Sequence, residues 1–488
     1  MTRASSGRRR GVRLQVLSCE QIEDIHLASL EILQRTGIAI EHDGARDLLR
    51  RHGASVSGAR VRIPPSLVKQ ALASAPERVQ LYSRKDEPAV DLGADRSYFG
   101  TGSDTPTYID PYSGEMMTTD RESVRRFSLL CDALPNMDFV MSMGIARERP
   151  GNSSFVHQYA AMQEGTIKPI VFTAQGAKDI RPIYDIALAA AGGDEDLLRL
   201  HPRCLLYTEP VSPLSYKPEA MEMVLFCAAR SLPVTIPTGI MAGATGPVTL
   251  AGAIALGNAE TLAALTVLQL TRPGTPYVYG GNVSVMDMRT SLFTYGAPEF
   301  HLAFAAFADL GHHYRLPVWG LAGASDAKRF GAQAAAEAAY EILLARLSGN
   351  NLIHDVGYLN TGLTACMELV VLCDEIVDYT NRIAAGIEVS ERTLALDVID
   401  RVGPCGQFLD TDHTVENFRN HIWQPRFLER DSYAAWQAAG SQDLHTKLNA
   451  RVREILENHC PEPLPEEATG RIAGILAARE AFRGETAP

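Results

Sequence analysis

Eight short apolar runs recur along the middle of this 488-residue chain at intervals of roughly 29 to 44 residues, and a helix-like stretch follows each of them. The runs begin at Tyr98, Phe139, Pro169, Cys204, Pro233, Tyr277, Leu316 and Leu352. Short strands that alternate with helices on this spacing are typical of a (β/α)8 barrel. We therefore predict an α/β fold, a (β/α)8 TIM barrel with mainly helical additions at both ends.

The segments outside the runs divide the chain around this barrel. Residues 1–16 are rich in Ser, Gly and Arg and are expected to form a flexible basic tail, without the apolar run of a secretory signal. Residues 17–96 show helical periodicity opened by Ser18, which predicts an N-terminal helical layer. The barrel is predicted over 97–386 and a C-terminal helical region over 387–488.

Composition narrows the class of protein. A net charge of −12 argues against a general nucleic-acid surface, because phosphate binding needs clustered Lys and Arg. Polar residues interrupt the apolar windows before they reach about 18 residues, so no membrane span is expected. The eight cysteines are scattered without a Cys-x-x-Cys pair, which favours a reduced, cytoplasmic setting and predicts that the chain itself binds no metal.

Polar and aromatic side chains stand at the carboxyl ends of several predicted strands, where barrel enzymes place their sites. The candidates are Asp104 after the first strand, Gln175 after the third, Tyr207 and Glu209 at the fourth, Tyr279 and Asn282 at the sixth, Ser325 and Asp326 after the seventh, and His354 and Asp355 at the eighth. Because side chains alternate along a strand, His354 and Asp355 are not both expected to face the lumen.

Most of these candidates also have a purely structural interpretation. Asp104 follows Gly and Ser and fits a turn cap, and His354 fits a hydrogen-bonded core histidine. Tyr207 and Tyr279, each taken alone, fit aromatic packing at the barrel rim. Glu209 is harder to explain in this way, because a carboxylate on a barrel strand needs a partner or a substrate.

Several longer motifs occur in order along the chain. They are residues 243–252 (GATGPVTLAG), 258–263 (NAETLA), 280–290 (GGNVSVMDMRT), 296–300 (GAPEF), 323–328 (GASDAK), 351–359 (NLIHDVGYL) and 412–419 (DHTVENFR). Together they make the chain, from about residue 17 to 456, similar to the trimethylamine methyltransferase family of corrinoid-dependent barrel enzymes. The resemblance implies transfer of a methyl group from a methylamine to the Co(I) form of a corrinoid (cobalamin) that a separate carrier protein supplies.

One departure from that family affects the expected substrate. Founding members that demethylate trimethylamine contain pyrrolysine, whereas every position here is a standard residue. A quaternary ammonium leaves as a neutral tertiary amine, so its methyl group needs no covalent activation. The chain therefore resembles the branch without pyrrolysine, for which glycine betaine is the expected substrate.

The resemblance also implies roles for the candidate residues. A trimethylammonium group suits aromatic faces and carboxylates, here Tyr207, Tyr279, Asp104 and Glu209, and a betaine carboxylate suits donors, here His354, Gln175 and Asn282. Asp104, Glu209 and His354 are expected to position the substrate, with no general acid or base. Asp287 and Arg289 are predicted to contact the corrinoid carrier protein at the barrel mouth. A homo-oligomer is expected.

Other functions stay open at this point. Proline betaine, carnitine and trimethylamine are the alternative substrates, and a barrel that binds a betaine without turnover fits the same residues. A barrel enzyme with a phosphate site would use the glycines at 280–281 and 320–323. A Schiff-base aldolase needs a Lys on an inward strand position, and none of the eight runs contains one.

Overall fold

The computed structural model describes residues 11–93, 95–148 and 153–481, and its N-terminal layer combines helices with short strands. The elements of this layer are α1 (Cys19–Glu31), a π-helical turn (Ile32–Thr36), β1 (Ile38–Ile40), α2 (Asp43–Arg51), β2 (Ser55–Ser57), β3 (Arg60–Arg62), α3 (Pro65–Ser74), β4 (Val79–Tyr82) and β5 (Pro88–Leu92). Ser18 caps α1 and exchanges hydrogen bonds with Gln21. The layer expected to be helical is therefore mixed, and β4 and β5 form an antiparallel hairpin.

The described part of the predicted flexible tail is attached to the barrel. The N–H of Val12 donates to Ala384 O at 3.2 Å, and the N–H of Leu14 donates to Leu347 O at 2.8 Å. The N–H of Val16 donates to Asp309 Oδ2 at 2.9 Å. Residues 11–16 are therefore held against the barrel helices, and residues 1–10, with their basic run, lie outside the described residues.

The strands from Tyr98 onward form the barrel and its rim, except β11 (Ser215–Tyr216), which pairs with β1 of the N-terminal layer. They are β6 (Tyr98–Thr101), β7 (Thr107–Ile109), β8 (Met116–Thr118), β9 (Ile170–Phe172), β10 (Cys204–Tyr207), β11 (Ser215–Tyr216), β12 (Val234–Thr235), β13 (Thr238–Ala242), β14 (Tyr277–Val285), β15 (Val318–Leu321), β16 (Leu352–Val356), β17 (Tyr358–Leu359) and β18 (Thr364–Cys366). The barrel order is β6-β16-β15-β14-β12-β10-β9, all parallel, and β13 also pairs with β14.

The second predicted run completes the barrel without forming a full strand. Phe139 makes a parallel bridge to Gly100 of β6, and Val140 makes one to Ile170 of β9. These bridges join the two edge strands, so the sheet closes on itself. The predicted (β/α)8 barrel is confirmed.

Helices surround the barrel and continue beyond it. They are α4 (Arg121–Ala133), α5 (Ser154–Gly165), α6 (Ala177–Ala190), α7 (Glu195–Leu200), α8 (Pro218–Arg230), α9 (Leu250–Thr271), α10 (Pro298–His313), α11 (Ala332–Ser348), α12 (Met367–Ala384), α13 (Glu391–Leu394), α14 (Leu396–Val402), α15 (Asp412–His421), α16 (Tyr433–Ala438), α17 (Leu444–Asn458) and α18 (Glu466–Ala481). By length and composition α9 would suffice to cross a membrane, but 83% of its apolar window is buried inside the protein.

The β4–β5 hairpin closes the amino-terminal end of the barrel. Its inward side chains, Val79, Leu81, Val90 and Leu92, are buried in one apolar cluster with residues of the barrel interior such as Trp319. Burial of this cluster removes the lower barrel from water and stabilises its closed form. Access to the lumen is therefore left at the carboxyl ends of the strands.

Candidate active site

A cavity of about 390 Å³ lies at the carboxyl ends of the barrel strands. It is lined by Ser103, Tyr207, Glu209, Gly239, Met241, Thr245, Asn282, Phe293, Tyr295, Phe300, Leu321, His354, Asp355, Tyr358 and Thr361. Five of these residues are aromatic and two are carboxylates, and none of the lining residues in the described part of the chain is Lys or Arg. The strands therefore gather aromatic faces and negative charge at the barrel mouth.

Three rings in contact form the inner part of the site. The ring centroids of Trp319 and His354 are 4.2 Å apart, and those of Tyr207 and Trp319 are 5.3 Å apart. Tyr207 and His354 lie on opposite sides of the barrel, yet their centroids are only 5.7 Å apart. Trp319 is fully buried between this pair and the apolar interior, so it supports both rings from below.

Glu209 extends into the cavity from the end of β10. Its Oε1 accepts a hydrogen bond from the Tyr207 hydroxyl, and Asn282 Nδ2 lies 3.4 Å from the same hydroxyl oxygen. The side chain is exposed to the cavity, but the protein around the cavity displaces much of the bulk water. This loss of water raises the pKa of Glu209, and the Tyr207 hydrogen bond and the His354 ring oppose the rise.

His354 and Asp355 both line the cavity, which corrects the prediction that only one of them faces inward. Asp355 has a φ of 74°, and the pairing register between β16 and β6 shifts at this point. The irregular backbone interrupts the alternation of side chains and turns Asp355 inward. His354 Nδ1 lies 2.7 Å from Asp355 Oδ1, close enough for an ion pair but without the alignment of a hydrogen bond.

Four aromatic residues form the outer wall of the cavity. Tyr295 contacts Phe293, Phe300 and Tyr358 edge to face, at centroid distances of 5.2, 5.5 and 6.2 Å. Asp326 fixes the chain there, because its carboxylate accepts from the N–H groups of Tyr295 and Gly296 at 2.9 Å each. Burial raises the pKa of Tyr295 and Tyr358 well above the usual value, so both phenols stay neutral.

Tyr279, predicted to contact the substrate, is not among the residues that line the cavity. It points from β14 into the layer between the barrel and its helices, where its hydroxyl donates to Asn258 Oδ1 of α9 at 2.8 Å. Its ring packs near Phe307 and Tyr314. The neighbouring Val278 belongs to the interior cluster, so alternation along β14 directs Tyr279 outward.

Asp104 and Gln175 are also not among the residues that line the cavity. The Asp104 carboxylate accepts from Gln158 Nε2 at 2.7 Å and from Thr173 Oγ1 at 2.9 Å. Burial raises the pKa of Asp104, and these hydrogen bonds oppose the rise. Gln175 is exposed, and its N–H donates to Asp179 Oδ2 at 3.0 Å beside the start of α6. The Asp104 carboxylate therefore has structural hydrogen bonds that account for it apart from any substrate, whereas the contact of Gln175 is made by its backbone only.

The predicted docking residues lie on the loop that follows β14. Asp287 Oδ1 accepts from the N–H groups of Arg289 and Thr290 at 2.8 and 3.1 Å, so Asp287 shapes an exposed turn. Met288 and Leu292 of the same loop are 63% and 54% exposed. The loop thus presents charged and apolar side chains together at the mouth. Among the described residues no cluster of His, Cys, Asp and Glu is suited to hold a metal ion.

Several residues of the cavity were not selected from the sequence. Phe293, Tyr295, Phe300 and Tyr358 come from a loop, a helix start and the two-residue strand β17 that follow the sixth and eighth barrel strands, and such positions have no periodic pattern. The available signal was their place in the chain, since residues directly after barrel strands form the mouth. Asp326, identified after the seventh strand, proves to act through Tyr295 rather than by lining the cavity.

A closed barrel with an aromatic and acidic cavity at the carboxyl ends of its strands has its pocket where barrel enzymes place their active sites. The family model described as trimethylamine methyltransferase (MTTB) matches residues 3–483, and the chain belongs to this family of methyltransferases.

Relatives extend along the whole chain. The trimethylamine methyltransferase MttB of Desulfitobacterium hafniense is 33% identical over 98% of this chain and 97% of its own length. A glycine betaine methyltransferase of the same species is 30% identical over 97% of this chain and 98% of its own length. The solved monomethylamine methyltransferase MtmB of Methanosarcina barkeri matches with a TM-score of 0.51 at 12% identity, over 96% of this chain and 89% of MtmB, which shows a shared fold.

Proposed function

We propose that this protein transfers a methyl group from a quaternary amine to the Co(I) form of a corrinoid held by a separate carrier protein. The observation that carries the proposal is the cavity at the barrel mouth, which combines five aromatic residues with Glu209 and Asp355. A quaternary ammonium has no N–H to donate, and it is held by the faces of aromatic rings and by nearby negative charge. Membership of a methyltransferase family supports the reaction type.

The residues of the cavity account for binding and alignment of the methyl donor. The rings of Tyr207, Tyr295 and Tyr358 contact the cationic group, while Glu209 and Asp355 balance its charge. The hairpin closes the barrel below, so one N–CH3 bond is directed toward the open mouth. That bond breaks, its electron pair stays on nitrogen, and a neutral tertiary amine leaves. The acceptor corrinoid supplies the nucleophilic Co(I), and no residue of the cavity has to move a proton.

The mouth suits an acceptor that arrives on another protein. Apolar side chains at the carboxyl ends of several strands are more than half exposed: Val211, Val248, Met288, Leu292 and Leu363. Such a rim offers the carrier an apolar surface beside Asp287 and Arg289. Glycine betaine, which the sequence favours, belongs to the proposed substrate class, and so do amines without a carboxylate such as choline.

The experiment that tests the proposal is methylation of free cob(I)alamin by the purified protein, followed through its visible spectrum. A panel of quaternary amines is compared with trimethylamine under strictly anaerobic conditions. We expect methylcobalamin to form with at least one quaternary amine and not with trimethylamine. Binding of a quaternary amine without methylcobalamin would instead identify a barrel that binds the amine and does not turn it over.

A further inference from the structure

The charge of the cavity distinguishes two kinds of quaternary amine. A betaine carries a carboxylate a few bonds from its ammonium group and has no net charge, whereas choline or tetramethylammonium is a simple cation. Both kinds need aromatic faces for the ammonium group. Only a betaine also needs a cation or free hydrogen-bond donors for its carboxylate.

The described lining residues supply little positive charge. Glu209 and Asp355 are acidic, and His354 is the one lining residue that can become cationic. The summed charge of Glu209, Asp355 and His354 is −1 when His354 is protonated and −2 when His354 is neutral. Burial is the largest cause of the raised pKa of the Tyr207 and Tyr295 phenols. Glu209 and Asp355 raise both pKa values further, as a negative electrostatic potential would.

Several hydrogen-bond donors of the cavity are occupied by acceptors of the protein, whereas the ring nitrogens of His354 have no hydrogen-bond partner among the described residues. The Tyr207 hydroxyl donates to Glu209, and the Tyr358 hydroxyl donates to Ser103 O. Thr361 Oγ1 donates to Asp326 Oδ1 at 3.2 Å, and Asn282 Nδ2 is directed to the Tyr207 oxygen at 3.4 Å. A substrate carboxylate that accepted from the His354 ring would lie beside Asp355 and Glu209, a juxtaposition of like charges that costs binding free energy.

We infer that the cavity selects a quaternary ammonium monocation without a carboxylate, of the choline or tetramethylammonium class, over a zwitterionic betaine. The inference rests on the proposed function for the reaction but on the charge of the cavity for the ligand. A simple cation places its positive charge among the rings and carboxylates and leaves the existing hydrogen bonds of the protein intact. We therefore expect a simple quaternary ammonium cation, in place of glycine betaine, to be the preferred substrate.

The test is a calorimetric titration of the full-length protein with tetramethylammonium, choline and glycine betaine. Choline and glycine betaine share the trimethylammonium group and differ in a hydroxyl against a carboxylate. We expect choline to bind about tenfold or more tightly than glycine betaine. In Glu209→Gln this ratio should shrink, because one negative charge is removed. In Glu115→Gln, which neutralises an exposed carboxylate outside the cavity, the ratio should stay unchanged.

Failure of the inference is separable from failure of the proposed function. Glycine betaine that binds as tightly as choline overturns the inference, and so does an equal ratio in the wild type and Glu209→Gln. Methyl transfer from glycine betaine to cob(I)alamin without measurable choline binding would keep the proposed function and overturn the inference. Tight choline binding without methyl transfer from any amine would keep the ligand class and overturn the reaction.

Discussion

Replacement of Tyr295 by leucine isolates the contribution of one aromatic face to cation binding. The ring is held edge to face by Phe293, Phe300 and Tyr358, so it is ordered before a ligand arrives. A cation over a ring shielded from bulk water gains about 1–2 kcal/mol. At 1.4 kcal/mol per factor of ten, Tyr295→Leu should weaken binding of tetramethylammonium by about 5- to 30-fold.

Phenylalanine at the same position is the matched control. Within the described part of the chain the Tyr295 hydroxyl makes no hydrogen bond, so Tyr295→Phe keeps the ring and removes no contact. We expect its Kd to lie within about twofold of the wild type. Titration calorimetry gives the three Kd values, and thermal unfolding verifies that both variants are folded. Equal affinity of the leucine variant and the wild type, or equal weakening in both variants, would refute a role for the ring face.

Three further changes examine other parts of the site. Tyr279→Phe should leave ligand binding unchanged but lower the free energy of unfolding in urea by about 1–3 kcal/mol, because the buried Asn258 Oδ1 loses its donor. Burial raises the pKa of Glu209, and only the ionised carboxylate attracts a cation. Calorimetry should therefore show affinity that falls as the pH drops through this raised pKa, and a smaller fall in Glu209→Gln, in which Asp355 is the remaining carboxylate of the cavity. Gly102→Ala should weaken cation binding and lower the melting temperature, because a Cβ at this position would overlap the Tyr358 ring.

The fold could be predicted because a parallel barrel repeats one local signal many times. Each strand is a buried apolar run followed by a helix, and seven of the eight predicted runs contain a parallel barrel strand. The second run, at Phe139 and Val140, contributes only single bridges, and no residue pattern distinguishes that from a short strand. The strands of the N-terminal layer were harder to predict from the sequence, because β4 and β5 are stabilised by the barrel interior that they cover rather than by their own residue pattern.

Alternation along the strands decides which candidates reach the cavity. Tyr279 and Asn282 are three positions apart on β14, so a regular strand cannot direct both of them inward, and this much was available from the sequence. The same rule fails at Asp355, where a φ of 74° and a register shift bring two consecutive side chains into the lumen. Backbone irregularity of this kind leaves no signal in residue types, so the pairing of His354 with Asp355 required the structure.

The aromatic wall shows a second limit of sequence reasoning. Tyr295 and Phe293 belong to a loop whose course is set by hydrogen bonds from its backbone to Asp326, a residue 31 positions away from Tyr295. A loop without periodicity cannot be placed from its own residues, because the contacts that fix it are made by another part of the chain. The acidic residue was visible in the sequence, but its role in holding an aromatic ring was not.

The role of Glu209 can be decided by separating binding from methyl transfer. The substrate is a full cation in the ground state and loses that charge as the methyl group leaves, so a nearby carboxylate stabilises the ground state more than the transition state. Glu209→Gln should therefore weaken binding, while the rate constant at saturating amine, measured in a single turnover with cob(I)alamin, should be equal to or higher than that of the wild type. A general acid or base would behave in the opposite way, because its loss typically lowers the rate by about 10²- to 10⁴-fold. A fall of that size at saturation would contradict a purely electrostatic role and show that the Tyr207–Glu209 pair moves a proton.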